Sequence, residues 1–321
     1  MTQREFAKLL NISQAAVSMA LKDSPEISLA RRRHIQELAE KLGYRPNLAG
    51  QLLRKGRSNL IGAILPPLEY GFYAELLEKL YTHARAHGYV LLLENCSREE
   101  DMERIGRTMR QYNVAGILAG CGSALAQEFL PNEIPTVLIA GENFRDDGNP
   151  QMMWVQPDLY ESGRTLGAYL LGKGRKHVVF AGLARDNEPR FRGVREALGS
   201  AVRLETVFCQ YNTRFAGYRL AGEVLEKFPG CDAVVAHNDD MAIGILSRFY
   251  KEGVSVPDRI AVAGFDNISS GAFAPPPLTS IGPSLDAFAE AAVTGVLDML
   301  EGRAVKKCVF IKCGLAVRDS A

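Results

Sequence analysis

NISQAAVSMALK, Asn11 to Lys22, is a polar turn followed by a short run that mixes small, polar and apolar positions. Upstream, Thr2-x-x-Glu5 has the spacing of a capping box, in which each residue satisfies a free amide of the other, and it starts a helix carrying Phe6, Ala7, Leu9 and Leu10. Asn11 and Ser13 break and recap the chain. A second helix is then expected from Ser13 to about Lys22, with Ala16, Val17, Ala20 and Leu21 packing inward and Gln14, Ala15, Ser18 and Met19 left for another surface. After Asp23-Ser24-Pro25, Ser28 caps a third helix whose apolar stripe is Ile35, Leu38, Ala39 and Leu42, ended by Gly43. Helix, tight turn, helix and supporting helix form a helix-turn-helix module, which sets its second helix in the major groove of DNA.

Helix pattern alone fits any small three-helix bundle equally well, and charge separates the two readings. Residues 1 to 58 hold 11 Lys and Arg against 5 Asp and Glu, a net of +6, whereas the remainder holds 27 against 32, a net of −5. The whole-chain charge of +1 hides this split. A basic head on an acidic body is the electrostatic footprint of a protein that holds nucleic acid with one end.

The ordered segments FAKLLNISQAAVSMALK, ARRRHIQELAEKLGYRPN and GRSNLIGAILP, with a body ending in LAVRDS, resemble the LacI/GalR family of transcription regulators over essentially the full length. EKLGYRPN is the most specific piece. The resemblance implies a small all-α helix-turn-helix domain followed by an α/β core of two doubly wound parallel-sheet lobes, periplasmic-binding-protein-like. The domains expected are a head over 1–45, a hinge helix and linker over 46–59, and an effector-binding and dimerisation core over 60–321. Within the core the N-lobe takes about 60–155 plus 283–314, and the C-lobe about 156–282 plus 315–321.

Pro46 and Asn47 can start the hinge helix, with Leu48, Leu52 and Leu53 before the Arg54-Lys55-Gly56-Arg57 run. So short a helix, weakened by Gly50, is marginal alone and is expected to order when two copies pair on DNA. The resemblance implies that Leu53 wedges into the minor groove, where apolar side chains kink the duplex. Without it, Leu53 reads as a linker residue docking on the core.

The residues bear out two lobes independently of the resemblance. From Leu60, apolar runs alternate with amphipathic helices: LIGAIL, a helix near 72–87, VLLLE, a helix near 98–112, GILAG and TVLIA. A second series follows Trp154-Val155: helices near 158–172, 189–198, 214–227 and 240–252 alternate with HVVFAG, LETVFC, AVVAHN and IAVAGFD. This is βαβ alternation. A last helix near 284–301 and the strand CVFIKC resemble the family's return of the chain into the first lobe, which implies crossovers near 155, 282 and 314.

The chain is 321 residues long, 47% hydrophobic and 23% charged, an ordinary globular composition. No apolar run reaches membrane-spanning length and residues 1–30 lack a signal-peptide layout, so a cytoplasmic, nucleoid-associated protein without a membrane partner is expected. Six scattered cysteines without a CxxC pair read as reduced, mostly buried thiols.

Ligands of open α/β sheets lie beyond the carboxyl ends of the strands, so the inter-lobe cleft is the expected site of a small molecule. Asn238 and Asp239 follow AVVAHND, Asp266 follows IAVAGFD, and Arg190 begins a helix in PRFRG. Each alone is more often a cap or turn residue; together they supply acceptors and a bidentate donor to a hydroxyl-rich ligand. The family implies that Arg190, Asn238 and Asp266 hold the effector, with Asp239 read as the cap of the following helix. Phe72 and Tyr73 match aromatic cleft positions, or else pack a helix start. Asp158 matches another cleft position and equally could cap its helix. Two departures stand against an ordinary hexose: Ala140 replaces a common acid and Asn212 a common stacking ring, though Tyr211 is adjacent.

On the DNA side, Gln14 can read an adenine, whereas Ala15 and Met19 offer apolar contact to a thymine methyl. Ser13 and Ser18, with the basic residues, are expected on phosphates, so discrimination leans on the hinge and on DNA deformability. Arg31 to Arg33 read as a solvated or phosphate-near face. No catalytic residue, cofactor or metal site is expected: there is no P-loop, HExxH or GxSxG, the Gly120-Cys121-Gly122 turn lacks dinucleotide spacing, and His83 and His87 have no third ligand. The function expected is a repressor of a carbohydrate uptake or catabolism operon, a homodimer on near-palindromic double-stranded operator DNA, controlled by a sugar or sugar derivative. No heptad segment trails LAVRDS, which favours a dimer over a tetramer. The alternative is a two-lobed solute receptor whose helical bundle contacts a protein.

Overall fold

The computed structural model describes residues 1–21, 23–44, 58–139, 148–183 and 188–321. The expected hinge helix with Leu53, and Ala140, fall outside them. The chain divides into two compact units, Met1–Ser58 and Asn59–Ala321.

The first unit contains α1 (Gln3–Leu9), α2 (Gln14–Leu21) and α3 (Leu29–Lys41). The capping box forms: the Thr2 hydroxyl accepts from the Glu5 amide, and the Glu5 carboxylate accepts from the Thr2 amide. Its core is Phe6, Val17, Ala20 and Ile35, and Phe6 stacks on Tyr44 with ring centres 4.3 Å apart. Burying each large apolar side chain stabilises a head this small by roughly 1.5–3 kcal/mol. Gln36 ties α3 to the end of α2, donating to the Ala20 carbonyl and the Asp23 carboxylate at 2.9 Å each. Three details differ from the sequence reading. Ser28 holds the cap position of α3 but its hydroxyl makes no capping bond. Leu9 and Leu42 are exposed, whereas Leu10 and Leu38 pack on the core. Arg32 folds back onto the Asp23 carbonyl rather than extending into solvent.

The second unit alternates strand and helix. Its first sheet is built from β1 (Leu60–Leu65), β2 (Val90–Asn95), β3 (Gly116–Ala119), β4 (Thr136–Leu138), β5 (Met152–Pro157) and β11 (Cys308–Ile311). The order is β11-β5-β4-β3-β1-β2, all parallel. The second sheet has β6 (His177–Leu183), β7 (Arg203–Cys209), β8 (Ala233–Ala236), β9 (Ala261–Phe265), β10 (Thr279–Pro283) and β12 (Cys313–Ala316) in the order β12-β10-β9-β8-β6-β7. Only β12 runs antiparallel, at one edge.

The first lobe's helices are α4 (Gly71–Ala86), α5 (Asp101–Gln111), α6 (Ser123–Phe129) and the returning α11 (Leu285–Leu300). The sequence reading placed no helix at α6. In the second lobe they are α7 (Leu159–Gly172), α8 (Pro189–Leu198), α9 (Arg214–Lys227) and α10 (Asp239–Lys251). Near-continuous apolar strands such as LIGAIL are covered on both faces, as parallel sheets require. CVFIKC, expected as one strand of the first lobe, is two: Ile311 pairs with Pro157 in the first sheet and Cys313 with Pro283 in the second. A period-2 pattern cannot say which sheet a strand joins.

Candidate effector cleft and nucleic-acid interface

On the head, the packed and free faces of α2 separate as its spacing demands. Ala16, Val17 and Ala20 are buried, Ser13 and Ala15 exposed, and Gln14, Ser18 and Met19 half-buried, with Met19 packed partly on the core. The Ser13 hydroxyl accepts from the Ala16 amide at 3.1 Å and so caps α2. Gln3 fixes the start of α2 by donating to the Gln14 carbonyl.

In the core, a cavity of about 340 Å³ opens at the carboxyl ends of the strands of both lobes. Phe72, Tyr73, Arg190, Asn238 and Asp266 all line it; Asp158 does not. Asp158 caps α7 instead, accepting from the Glu161 amide at 3.0 Å. Phe72 and Tyr73 also fulfil the packing alternative, meeting edge-on with centres 5.2 Å apart while Phe72 abuts Phe288 of α11. Asn212 lines the cavity and Tyr211 is exposed.

Arg190 is placed by a helix crossing. A Cβ on Gly163 of α7 would come within 2.2 Å of the Arg190 carbonyl, so only glycine allows α8 to lie this close. The Arg190 guanidinium then donates to Glu188 at 2.9 Å, lies 4.0 Å from the Asp266 carboxylate, and covers the Phe265 ring at 5.6 Å. Burial pushes the Asp266 carboxyl up to about 7 against the pull of Arg190, with Asp240 and Glu188 adding to the rise.

The assignment of Asp239 as a helix cap is corrected. Asn238 is the cap of α10, its side-chain oxygen accepting from the Met241 amide at 2.9 Å and its amide donating to the Asn212 carbonyl. Asp239 is fully buried, accepting from the Ile268 amide at 2.9 Å and the Ser280 hydroxyl at 2.6 Å. Burial, then the Asp266 charge, holds its carboxyl well above the usual range. The reason is register: of the Asn238-Asp239-Asp240 run, only the first has the extended backbone that a cap needs.

Asp239 anchors the turn that presents Asp266. This turn is strained, with φ of +101° at Asp266 and +53° at Asn267. Ser280 accepts from the Asn267 amide, and Arg318 of the LAVRDS tail donates to the Asn267 side chain at 2.7 Å. Gly282 completes the support, since a Cβ there would fall 2.2 Å from the Asp266 carbonyl. These partners come from distant segments, so nothing local in the sequence marks them.

Sequence reasoning also missed what crosses the cleft. Asp240 of the second lobe accepts from the Gly71 amide at the start of α4, and from Arg214 at 2.8 Å. Glu75 of α4 accepts from the amide and hydroxyl of Ser269. Of the six thiols, Cys121 and Cys231 are buried and four are half-buried, fewer buried than expected; Cys96 and Cys121 line the cavity. His83 pairs with Asp286 of α11 rather than with His87. No helix among the described residues is long and apolar enough to cross a membrane.

Residues 168–321 match the family model of a periplasmic binding protein-like domain. Over 287 residues, 87% of this chain and 85% of its relative, the chain is 26% identical to the HTH-type transcriptional regulator GntR of Escherichia coli (strain K12). It is 26% identical to the HTH-type transcriptional repressor CytR of the same strain over 99% of this chain and 96% of that one. A transcriptional regulator of LacI family from Sanguibacter keddieii DSM 10542 superposes with a TM-score of 0.71 at 28% identity, covering 82% of this chain and 98% of that one. These relatives regulate transcription and are not enzymes. The chain is thus similar over most of its length to transcription regulators, one of them a regulator of the LacI family.

Proposed function

We propose that this regulator is a homodimeric repressor of a carbohydrate uptake or catabolism operon, released or engaged by a small-molecule effector, a sugar or sugar derivative, in the inter-lobe cleft. The observation that carries the reading is the approach of the Arg190 guanidinium to the Asp266 carboxylate at 4.0 Å inside a cavity of about 340 Å³. A forked donor beside an acceptor is what paired hydroxyls bond to. Asn238 and the rings of Phe72 and Tyr73 complete the effector contacts. Asp158 belongs to this set only through its cap on α7.

In this reading residues 1–45 are the DNA-binding domain, 46–59 the hinge and linker, and 60–321 the core. Ser13, Gln14, Ala15, Ser18 and Met19 face the major groove of each half-site, and Leu53 enters the minor groove between them. A second copy is supported by exposed apolar side chains on the edge strand β2 and on α4, namely Val90, Leu93 and Tyr81. A Lac repressor dimer that shares this fold is bound to operator, and a CelR regulator of similar fold is in complex with cellobiose. The protein acts in the cytoplasm, on the nucleoid.

The test is selection of bound duplexes from a random pool, followed by titration of the winning sequence across a salt series, with and without residues 1–58. A near-palindrome bound only by the full chain, weakening steeply with salt and shifted by a sugar, is expected. Absence of any enriched duplex, with and without a sugar mixture, would sink the reading in favour of a two-lobed solute receptor.

A further inference from the structure

Arg190 is the only lysine or arginine among the described residues that line the cavity, whereas Asp240 and Asp266 both do. Glu188 stands just behind, 7% exposed, and holds one arm of the Arg190 fork at 2.9 Å. The other arm lies 4.0 Å from Asp266. An incoming phosphate or carboxylate needs that fork, and would displace one carboxylate while facing the rest at close range. Hydroxyl groups meet no such conflict, because they donate to Asp266 and accept from what remains of the guanidinium.

We infer that Glu188 sets the charge selectivity of the cleft: with Asp266 it offsets the charge of the Arg190 guanidinium, so that the site takes uncharged hydroxyl-bearing ligands and rejects their phosphate and carboxylate counterparts. This rests on the cleft being the effector site. Glu188 is a specificity residue acting through Arg190; it also caps α8 by accepting from the Arg190 amide, at 3.3 Å. A glutamine keeps the carbonyl oxygen for that cap and removes the charge. Glu188→Gln therefore separates the electrostatic role from the structural one.

The experiment titrates the full chain with inorganic phosphate against chloride at matched ionic strength, reading the melting temperature. Wild type is expected to show no phosphate-specific shift. Glu188→Gln is expected to gain one, binding phosphate at least about tenfold more tightly, the effect of freeing one charged hydrogen-bond donor. Adding Arg190→Ala should abolish the gain. If Glu188→Gln does not fold, Asp266→Asn tests the same point, since it frees the other arm. Phosphate stabilisation of wild type that Arg190→Ala removes would overturn the inference, as would folded variants that gain nothing. A parallel arm compares ribose with ribose 5-phosphate and glucose with gluconate. A sugar bound by wild type while neither variant gains phosphate keeps the effector reading and removes this one. A phosphate gain with no sugar bound keeps the exclusion of anions by Glu188 and removes the reading of the cleft as a sugar site.

Discussion

From the first lobe the cleft receives the rings of Phe72 and Tyr73, Pro66 and the turn from Gly120 to Gly122; from the second it receives Arg190, Asn238, Asp240 and Asp266. One wall is apolar and shaped, the other charged and hydrogen-bonded. The difference extends behind the surface. Asp266 is backed by Asp239, Ser280 and Arg318, all tied to one strained turn, whereas Phe72 is backed by another ring, Phe288. Preorganised polar groups give orientation and specificity, while a ring tolerates sliding. Under the proposed function the second lobe recognises the ligand and the first covers it.

The sharpest way to break this contrast is Asp239→Ala. It strands the Ile268 amide and the Ser280 hydroxyl in a dry interior, which should cost about 3 kcal/mol of stability and show as a lower urea midpoint. A loss below about 1 kcal/mol would mean the second wall is no more fixed than the first. Next in size, Arg190→Ala should weaken effector binding by about 2 kcal/mol, roughly 30-fold, while operator binding without effector is unchanged. Equal losses from Tyr73→Ala in the same calorimetric titration would erase the division of labour.

Acidity sharpens the comparison further. Asp266 titrates at about 7, raised by burial, Asp240 and Glu188 and opposed by Arg190; Asp239 and Cys313 also feel its charge. A raised carboxyl keeps its proton in the folded state after the unfolded chain has lost it. Asp266 therefore favours folding at low pH, and that contribution declines as pH rises toward 7. Ligand hydroxyls that donate to the carboxylate reverse the sign. Effector affinity should fall by up to about tenfold per pH unit below 7, level off above it, and lose this slope in Asp266→Asn. A flat profile in wild type would remove Asp266 from ligand contact. The smallest effect concerns closure: Glu75→Gln weakens one clasp to Ser269, and effector affinity should drop about threefold by equilibrium titration.

Most of this architecture is readable from periodicity, because long apolar runs between amphipathic helices admit few alternatives. The helix expected at 214–227 spans Arg214–Lys227, and that expected at 189–198 spans Pro189–Leu198. The strand-end rule likewise finds the cleft, since Arg190, Asn238 and Asp266 all reach one cavity. Where three adjacent residues share one chemistry, as in Asn238-Asp239-Asp240, composition cannot assign the cap, and backbone geometry decides. Ser28 fails for the related reason that a good capping residue need not form the bond. Glu188, Asp239 and Arg318 act on partners 2, 41 and 51 residues away, and even the local Glu188 pairing is marked by no motif.

The break at Lys312 bears on how the lobes can move. One residue separates a strand of the first sheet from a strand of the second, so that crossing offers only a couple of soft torsions. The other two crossings leave strands that end at Pro157 and Pro283, whose rings fix one torsion each. Three short, stiff connections in parallel permit rotation about a shared axis and resist independent twisting or separation. The cleft is therefore a mechanism with few degrees of freedom, and whatever fills it can drive the lobes along only a narrow path.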